Sequence, residues 1–310
     1  MDKKDIIKKF YERGVLPSPE DLSGEAPNRT LTPGKKSPAD PDKEGVSVNL
    51  RKHESAKKLS AQDFIDYYNS KYEKIKNMLL KKMDVVSITN AKTGPSPCGI
   101  IGIVKNMTQA GFIFEDTTGE LEIIRSGIRE LEKINIDDVF GLKGFVRENR
   151  FFPKEVVWPD IPLNHRIGRI KGMNIILSNR KSPELVISES RTKNAIQIRN
   201  NPEWIDITKG RDKVTILAFK SDNITKDDAL FCLRKRSLPE PNPIKTTKKP
   251  YLIEEIPDIL WLIQDDEWLE THKGITIISC GSKSLAKLDM ETRAVEFEKI
   301  QIPKPIPSAP

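Results

Sequence analysis

The sequence predicts a multidomain α+β protein: a short N-terminal helix and linker, a small β-barrel entered through a helix, and an α/β layered domain. Three observations predict this fold class. Apolar residues recur at helical spacing in two segments near the N-terminus. Short strand-like runs, separated by turn residues, fill the chain from 85 to 162. Beyond residue 163, strand-like runs alternate with helical or loop segments, as in layered α/β domains.

Length and composition bound the class of protein. The 310 residues are enough for two domains with cores of their own. No apolar run approaches the ~20 residues that span a bilayer, and the N-terminus does not resemble a secretory signal, so no membrane partner is expected. Cys98, Cys232 and Cys280 form no CxxC pair, which disfavours a zinc site or disulfides and predicts a cytoplasmic location.

The charge balance is basic, with a net charge of +7 and a pI near 9.1. An excess of this size is compatible with a nucleic-acid partner, because neutralised phosphates supply most of the non-specific affinity. It is equally compatible with a solvated surface on which Lys is favoured over Glu. Charge alone therefore leaves both interpretations open.

The N-terminal region divides into two parts. Apolar residues of segment 1–16 share one helical face, which predicts a short helix. Segment 17–58 is rich in Pro, Gly, Ser, Lys and Asp, and buries too little apolar area to offset its ordering entropy. We interpret 17–58 as a flexible linker, and the proline-rich segment 304–310 as a disordered tail.

The next domain, 59–163, is predicted to begin with a longer helix. Ser60 and Asp63 have capping-box spacing, with Asp in place of the usual Glu. From Phe64 to Met83, apolar residues then recur every three to four positions.

A barrel is predicted after this helix. The predicted elements are strands at 85–89, 99–105, 111–115 and 121–124, a short helix at 127–134, and a hairpin of 138–147 and 151–158. Five or six strands, with a helix before the last hairpin, suit a Greek-key barrel of the OB type. OB barrels bind single strands by stacking bases on aromatic rings beside basic residues. The candidate aromatics alternate with core positions, so we interpret most of them as packing residues: Phe112, Phe114, Phe145, Phe151 and Phe152.

The last domain, 164–303, is predicted to be an α/β layered domain. Strand-like runs lie at 174–177, 213–219, 251–254 and 275–280, with a helix at 226–236. The stretch 250–282 indicates two buried strands flanking a loop, and that loop carries Gln264, Asp265, Asp266 and Glu267.

Several motifs occur in an order that resembles one protein family. They are FIDYYNSKYEKIKNMLLKK (64–82), GIIGIVKNM, FEDTTGELEII, DVFGLKGFVRENRFFPKEVVWPDIPL (138–163), LRKRSLPEP (233–241), KKPYLIEEIPDI (248–259) and KGITIISCGS (273–282). Together they resemble the small subunit of archaeal family-D DNA polymerase and, more distantly, the B subunits of eukaryotic replicative polymerases. The resemblance covers roughly 62–163 and 173–283. It implies an OB barrel followed by a calcineurin-like phosphoesterase domain, and a large catalytic subunit as partner.

Active members of that family are implied to be 3′-5′ exonucleases that use two divalent metals. Such a centre needs hard oxygen and imidazole ligands close together. The segment that would carry the first two metal motifs is missing, since no aspartate lies between Asp160 and Asp206. In the third motif Asn179 persists, but Arg180 and Lys181 take the positions of His and Asp, and two cations there would repel a metal.

The final metal motif is altered as well, because Gln264 and Asp266 stand where the resemblance implies histidines. The three histidines of the chain, His53, His165 and His272, match no ligand position. We therefore interpret 164–303 as a degenerate, shortened phosphoesterase-like domain without catalytic residues, metal or cofactor. The remnant metal positions are Asn179, Gln264 and Asp266. A lone cation on the acidic loop is the alternative to a plain exposed loop.

The best candidate for contacting phosphates is the connector after the barrel. All charges between Asp160 and Glu184 are positive, and the alternative is a solvated connector that replaces the lost motifs. The predicted nucleic-acid-binding residues are Arg166, Arg169, Lys171, Arg180 and Lys181 here, and Lys105, Lys143 and Arg147 on the barrel.

Three functions remain open. The preferred hypothesis is a non-catalytic accessory subunit of a replicative DNA polymerase. It would bind the large catalytic subunit and DNA, and its N-terminal helix would recruit another replication factor. The alternatives are a metal-dependent 3′-5′ exonuclease or phosphodiesterase, and a free-standing single-stranded DNA-binding OB protein.

Overall fold

The computed structural model describes residues 45–51, 60–94, 96–125, 127–179, 184–189, 192–240 and 251–299. They all fall within one compact unit, 44–310. The predicted N-terminal helix 1–16 and tail 304–310 lie outside the described residues, as does most of the predicted linker. Among the described helices, none is long and apolar enough to cross a membrane.

The chain alternates a few helices with many strands. In order these are β1 (Val46–Leu50), α1 (Ala61–Leu79), α2 (Ile88–Thr93), β2 (Cys98–Met107), β3 (Gly111–Asp116), β4 (Gly119–Ile124), a 3₁₀ turn (Arg129–Glu132), β5 (Val139–Arg147), β6 (Arg150–Val157), β7 (Asn174–Ser178), β8 (Glu184–Glu189), β9 (Thr192–Gln197), β10 (Glu203–Lys209), β11 (Asp212–Lys220), α3 (Lys226–Lys235), β12 (Ile259–Ile263), β13 (Trp268–His272), β14 (Ile275–Cys280), β15 (Ser284–Asp289) and β16 (Val295–Lys299).

Helix α1 begins at the predicted capping box. The Asp63 amide donates to the Ser60 hydroxyl at 3.3 Å, and the Ser60 amide donates to the Asp63 carboxylate at 2.8 Å. The apolar face of the helix packs on the outside of the barrel through Tyr72, Ile75 and Leu79. This burial, added to the cap, explains why the sequence pattern located the helix correctly.

The predicted strand at 85–89 is wrong. The hydroxyl of Ser87 accepts a hydrogen bond from the Asn90 amide at 3.2 Å and caps α2, so a helix begins at Ile88. The paired valines before it favoured a strand, but the N-cap decides the local structure. The predicted helix at 127–134 is shorter than expected, a single 3₁₀ turn.

The barrel is closed and has the strand order β2-β3-β4-β6-β5, which is consistent with the predicted OB type. Its hairpin turns at Glu148 and Asn149, as predicted, and both residues have positive φ angles, 52° and 57°. Side chains that point inward along alternate strand positions fill the interior. The fully buried aromatics are Phe112, Phe114, Phe140 and Phe151.

The rest of the described chain forms two sheets. The six-stranded sheet has the order β1-β10-β11-β12-β14-β13 and the five-stranded sheet the order β16-β15-β7-β8-β9. A core of mostly aliphatic side chains from both sheets packs between them, while α3 contributes to a second core on the other face of the six-stranded sheet. This arrangement is mixed α/β and mostly strand. Its relation to a phosphoesterase domain stays a prediction.

Two sequence-based assignments in this region are wrong. The predicted strand at 251–254 is reduced to one antiparallel bridge between Leu252 and Ser237, because the Arg236 guanidinium, not a longer neighbouring strand, satisfies the carbonyls of Ile253 and Glu254 at 2.6 Å each. Part of the predicted linker, residues 46–50, is strand β1. Its alternate side chains pack against the core between the sheets, a pattern that the surrounding Pro- and Lys-rich composition obscured.

Contacts between aromatic rings join the barrel to the second part of the molecule. Trp158, at the end of the barrel, is 4% exposed and packs on Phe140 of the barrel and on Phe231 of α3. The two ring-centroid distances are 4.8 and 5.0 Å. A large rigid side chain shared by both cores opposes independent motion of the two parts.

Two nearly buried ion pairs complete the junction. Lys235 of α3 lies 2.9 Å from Asp138 of the barrel, and the two side chains are 11% and 9% exposed. Lys71 of α1 lies 2.9 Å from Glu240, with 6% and 12% exposed. Desolvated charges of this kind are tolerated because each has an opposite charge in hydrogen-bond contact.

We expect Lys235→Met to lower the free energy of unfolding by about 3 kcal/mol, because it leaves the Asp138 carboxylate buried without its counter-charge. Urea unfolding followed by tryptophan fluorescence measures the loss. The control is Lys105→Met, whose ammonium is solvent-exposed on the barrel and which should change stability far less. Equal effects of the two substitutions would contradict the importance of the buried pair.

Candidate functional site

The carboxyl ends of three parallel strands define the edge where two of the predicted remnant metal positions lie. Strands β11, β12 and β14 run parallel in the six-stranded sheet, so Lys220, Ile263 and Cys280 end at one edge. Open α/β sheets bind ligands outside such carboxyl ends. Gln264 and Asp266, two of the three predicted remnant positions, belong to the loop that follows β12.

Gln264 is engaged within the protein. Its side chain is buried, its amide nitrogen donates to the Ile224 carbonyl at 2.8 Å, and its amide oxygen accepts from the Ile224 amide at 2.8 Å. These two bonds tie the loop after β12 to the loop before α3. The position implied to hold a histidine ligand therefore carries a structural cross-link.

The acidic residues that follow do not converge on a common point. The Asp265 carboxylate accepts from the Ser282 hydroxyl at 2.5 Å and the Ser282 amide at 3.3 Å, and these bonds lower the pKa of Asp265. The carboxylate of Asp266 is exposed, while its backbone carbonyl accepts from the Ser279 hydroxyl. A Cβ on Gly281 would lie 2.2 Å from the Gln264 carbonyl oxygen, so the loops after β12 and β14 touch directly.

Asn179 follows β7 in the other sheet. Two residues earlier, the Leu177 carbonyl accepts a weak bond from the Cys280 thiol at 3.8 Å, so β7 and β14 end near one another. Arg180 and Lys181 lie outside the described residues. In the part of the chain that the structure describes, no group of three or more His, Cys, Asp or Glu side chains is placed to hold a metal. The donors of these described residues do not fit a two-metal centre.

The two described histidines contact residues at the exit from the barrel. His165 Nδ1 lies 2.9 Å from the Pro162 carbonyl oxygen. His272 Nε2 lies 4.0 Å from the Asp160 carboxylate, to which Lys273 donates at 2.6 Å. Burial lowers the pKa of His272. This cluster stabilises the exit from the barrel, where Asp160 lies.

The predicted cations of the barrel are paired with carboxylates. Lys105 has two partners within 3.0 Å, Lys143 has one at 3.1 Å, and Arg147 has one at 3.5 Å. Lys143 of β5 lies opposite Gly99 of β2. Gly99 precedes Lys105 by six positions on β2, so Lys143 and Lys105 lie about 20 Å apart along the strand at ~3.3 Å per residue. The structure does not gather these cations. The partners are Glu115 and Glu120 for Lys105, Glu155 for Lys143, and Glu148 for Arg147.

Two of the candidate aromatics belong to no described core cluster. Phe145 and Phe152 face each other across the β5–β6 hairpin and stack with centroids 5.5 Å apart, with the Lys154 ammonium 5.6 Å from the Phe145 ring. The alternation of the sequence did not separate these two rings from the core aromatics. Their equal distance from the predicted turn was the available signal, because it makes them cross-strand partners.

The connector residues differ from the barrel cations. Arg166, Arg169 and Lys171 are exposed, and no carboxylate of the described residues lies within ion-pairing distance of them. Their charges are therefore available to an anionic partner. Of the predicted nucleic-acid-binding residues that are described, these three form the group without internal partners.

Comparisons with known proteins agree with the family resemblance. No family model matches the chain. It is 24% identical over 111 residues to the DNA polymerase II small subunit of Archaeoglobus fulgidus, which covers 34% of this chain and 23% of that protein. It is 27% identical over 113 residues to the DNA polymerase II small subunit of Methanothermobacter thermautotrophicus, with 32% and 23% covered.

The matched region thus spans about a quarter of the length of the curated relatives. These matches confirm the predicted resemblance to archaeal family-D DNA polymerase small subunits, at low identity and over about a third of the chain.

We expect Gln264→Ala to lower the free energy of unfolding by about 2 kcal/mol, because it leaves the buried amide and carbonyl of Ile224 without partners. The matched control is Asp266→Ala in the same loop, which removes an exposed carboxylate and should leave stability nearly unchanged. Chemical denaturation of both variants checks this. A fully stable Gln264→Ala protein would show that the cross-link does not hold the loops.

Proposed function

We propose that the chain is a non-catalytic accessory subunit of a replicative DNA polymerase, which binds the large catalytic subunit and contacts DNA. The similarity to polymerase small subunits supports the replication context. The proposal that the chain is non-catalytic rests on Gln264 and Asp265. Their side chains are hydrogen-bonded to Ile224 and Ser282 within the protein.

The junction between barrel and sheets supports a scaffolding role. Trp158 and the Lys235–Asp138 pair hold the two parts in one arrangement. A partner that contacts both parts would therefore meet a preformed surface and would lose little free energy in ordering it. In this proposal the predicted helix 1–16 recruits a further replication factor.

Affinity purification of the tagged chain from its source organism should yield a large polymerase subunit. A variant that lacks residues 1–16 is the matched control: it should retain the large subunit and lose the additional factor. Recovery of no polymerase subunit under gentle, low-salt conditions would contradict the proposal.

The exonuclease alternative has its own test. We expect the purified chain to release no more nucleotide from single-stranded 3′ ends in Mn²⁺ than an Asn179→Ala/Asp266→Ala double variant, because the donors among its described residues do not fit a paired-metal centre. Release is measured on an end-labelled oligonucleotide. Robust degradation that disappears in the double variant would overturn the non-catalytic assignment.

A further inference from the structure

The connector after the barrel, residues 163–172, crosses the six-stranded sheet at the edge opposite to the predicted remnant metal positions Gln264 and Asp266. Asp258, immediately before β12, accepts from the Gly168 amide, and its second oxygen accepts from the Thr215 amide of β11 at 2.8 Å. Gly274, immediately before β14, is so close to Ile167 that a Cβ would lie 2.3 Å from that side chain. The connector therefore contacts the amino-terminal ends of all three parallel strands.

Gly168 fixes the path of the connector. A Cβ at this position would lie 2.1 Å from the Lys213 carbonyl oxygen and 2.8 Å from the Asp258 carboxylate, so a larger residue would displace the backbone. The Arg293 guanidinium donates to the Gly168 carbonyl. Both the amide and the carbonyl of Gly168 are therefore hydrogen-bonded to other parts of the protein, while the charged side chains of the connector are exposed.

Unpaired cations gather on this edge. Arg166, Arg169 and Lys171 project from the connector, and Arg211 projects from the adjoining turn between β10 and β11. Within the described residues none of these four has a carboxylate at ion-pairing distance. Lys213 is a fifth cation on this edge, and its ammonium is paired with the Asp206 carboxylate at 3.2 Å.

The acids of the same edge are mostly engaged in hydrogen bonds and ion pairs of their own. Asp206 also accepts from Arg51 at 3.0 Å, Asp258 holds backbone amides, and Asp289 accepts from the Thr292 hydroxyl and amide. Asp212 is an exposed carboxylate on the turn. The edge therefore presents a local positive excess to solvent.

The length of strand β12 separates this edge from the predicted remnant metal positions. Asp258 precedes β12 and Gln264 follows it, six residues later, which corresponds to about 20 Å at ~3.3 Å per residue. An anion bound to the cations would thus lie far from Gln264 and Asp266.

We propose that Arg166, Arg169, Lys171 and Arg211 form a surface that binds the phosphate backbone of duplex DNA at the amino edge of the parallel strands. This inference rests on the proposed function and names the surface through which the subunit contacts DNA. Arginine forks and lysine ammonium groups bind phosphate oxygens, and such contacts carry no base sequence.

Duplex DNA fits this surface better than a single strand. Neither 163–172 nor 209–213 contains a Phe, Tyr or Trp on which an unpaired base could stack. From Arg166 to Lys171 the extended chain spans at most about 17 Å. This equals the axial rise of about five base pairs, so the connector alone can follow several successive phosphates.

The test compares two charge-matched double variants of the full chain. Arg166→Gln/Arg169→Gln removes two cations from the amino edge, and Lys220→Gln/Lys283→Gln removes two from the carboxyl edge. Binding of a labelled 20-base-pair duplex is measured by fluorescence anisotropy over a range of salt concentrations. Single-stranded DNA of the same length is measured in parallel.

We expect the amino-edge variant to reduce the slope of log affinity against log salt by about 1.8, since each lost phosphate contact contributes ~0.9. The carboxyl-edge control should keep the original slope and affinity. Gly168→Ala, which retains every charge but displaces the connector, should also weaken binding. If Gly168→Ala does not fold, the charge variants, checked by thermal unfolding, still decide the outcome.

An unchanged slope in the amino-edge variant would overturn the inference, as would tighter binding of single strands that depends on Phe145, Phe152 and Lys154 of the barrel. Affinity purification with the same variant separates the two proposals. Retention of the large subunit with unchanged DNA binding contradicts only the surface assigned here. Failure of the wild-type chain to recover the large subunit contradicts the proposed function itself.

Discussion

The parallel pairing of β11, β12 and β14 is the constraint on which the rest of the molecule depends. It gives the six-stranded sheet two chemically different edges, one where the three strands begin and one where they end. A single buried carboxylate organises the first edge, because Asp258 joins the connector at Gly168 to β11 at Thr215. The barrel, whose exit leads into that connector, is thereby oriented relative to the sheet.

Side-chain hydrogen bonds join the loops at the second edge. Gln264 bonds to Ile224, Asp265 bonds to Ser282, and the Asn201 side chain bonds to the backbone amide and carbonyl of Lys220 at 2.8 Å each. Each bond satisfies polar groups of one loop with those of another. Polar atoms committed in this way contribute to stability and leave fewer donors for a metal.

Charge distribution matters more here than the net charge of +7. The cations of the barrel lie beside glutamates, so their fields are largely cancelled at short range. The ion pairs at Lys235 and Lys71 are used to join the barrel to its neighbour. The connector carries charges without such partners in the described structure, and long-range attraction of a polyanion depends on charges of this kind.

The sequence by itself determined the elements whose signals are local. The capping box at Ser60, the alternation along the barrel strands and the turn at Glu148 and Asn149 each lie within a few consecutive residues. Only the tertiary structure decided that 46–50 pairs with β10, that Gln264 bonds to a residue forty positions away, and which cations lack carboxylate partners. Those outcomes depend on contacts between residues distant in the chain, and neither composition nor periodicity encodes such contacts.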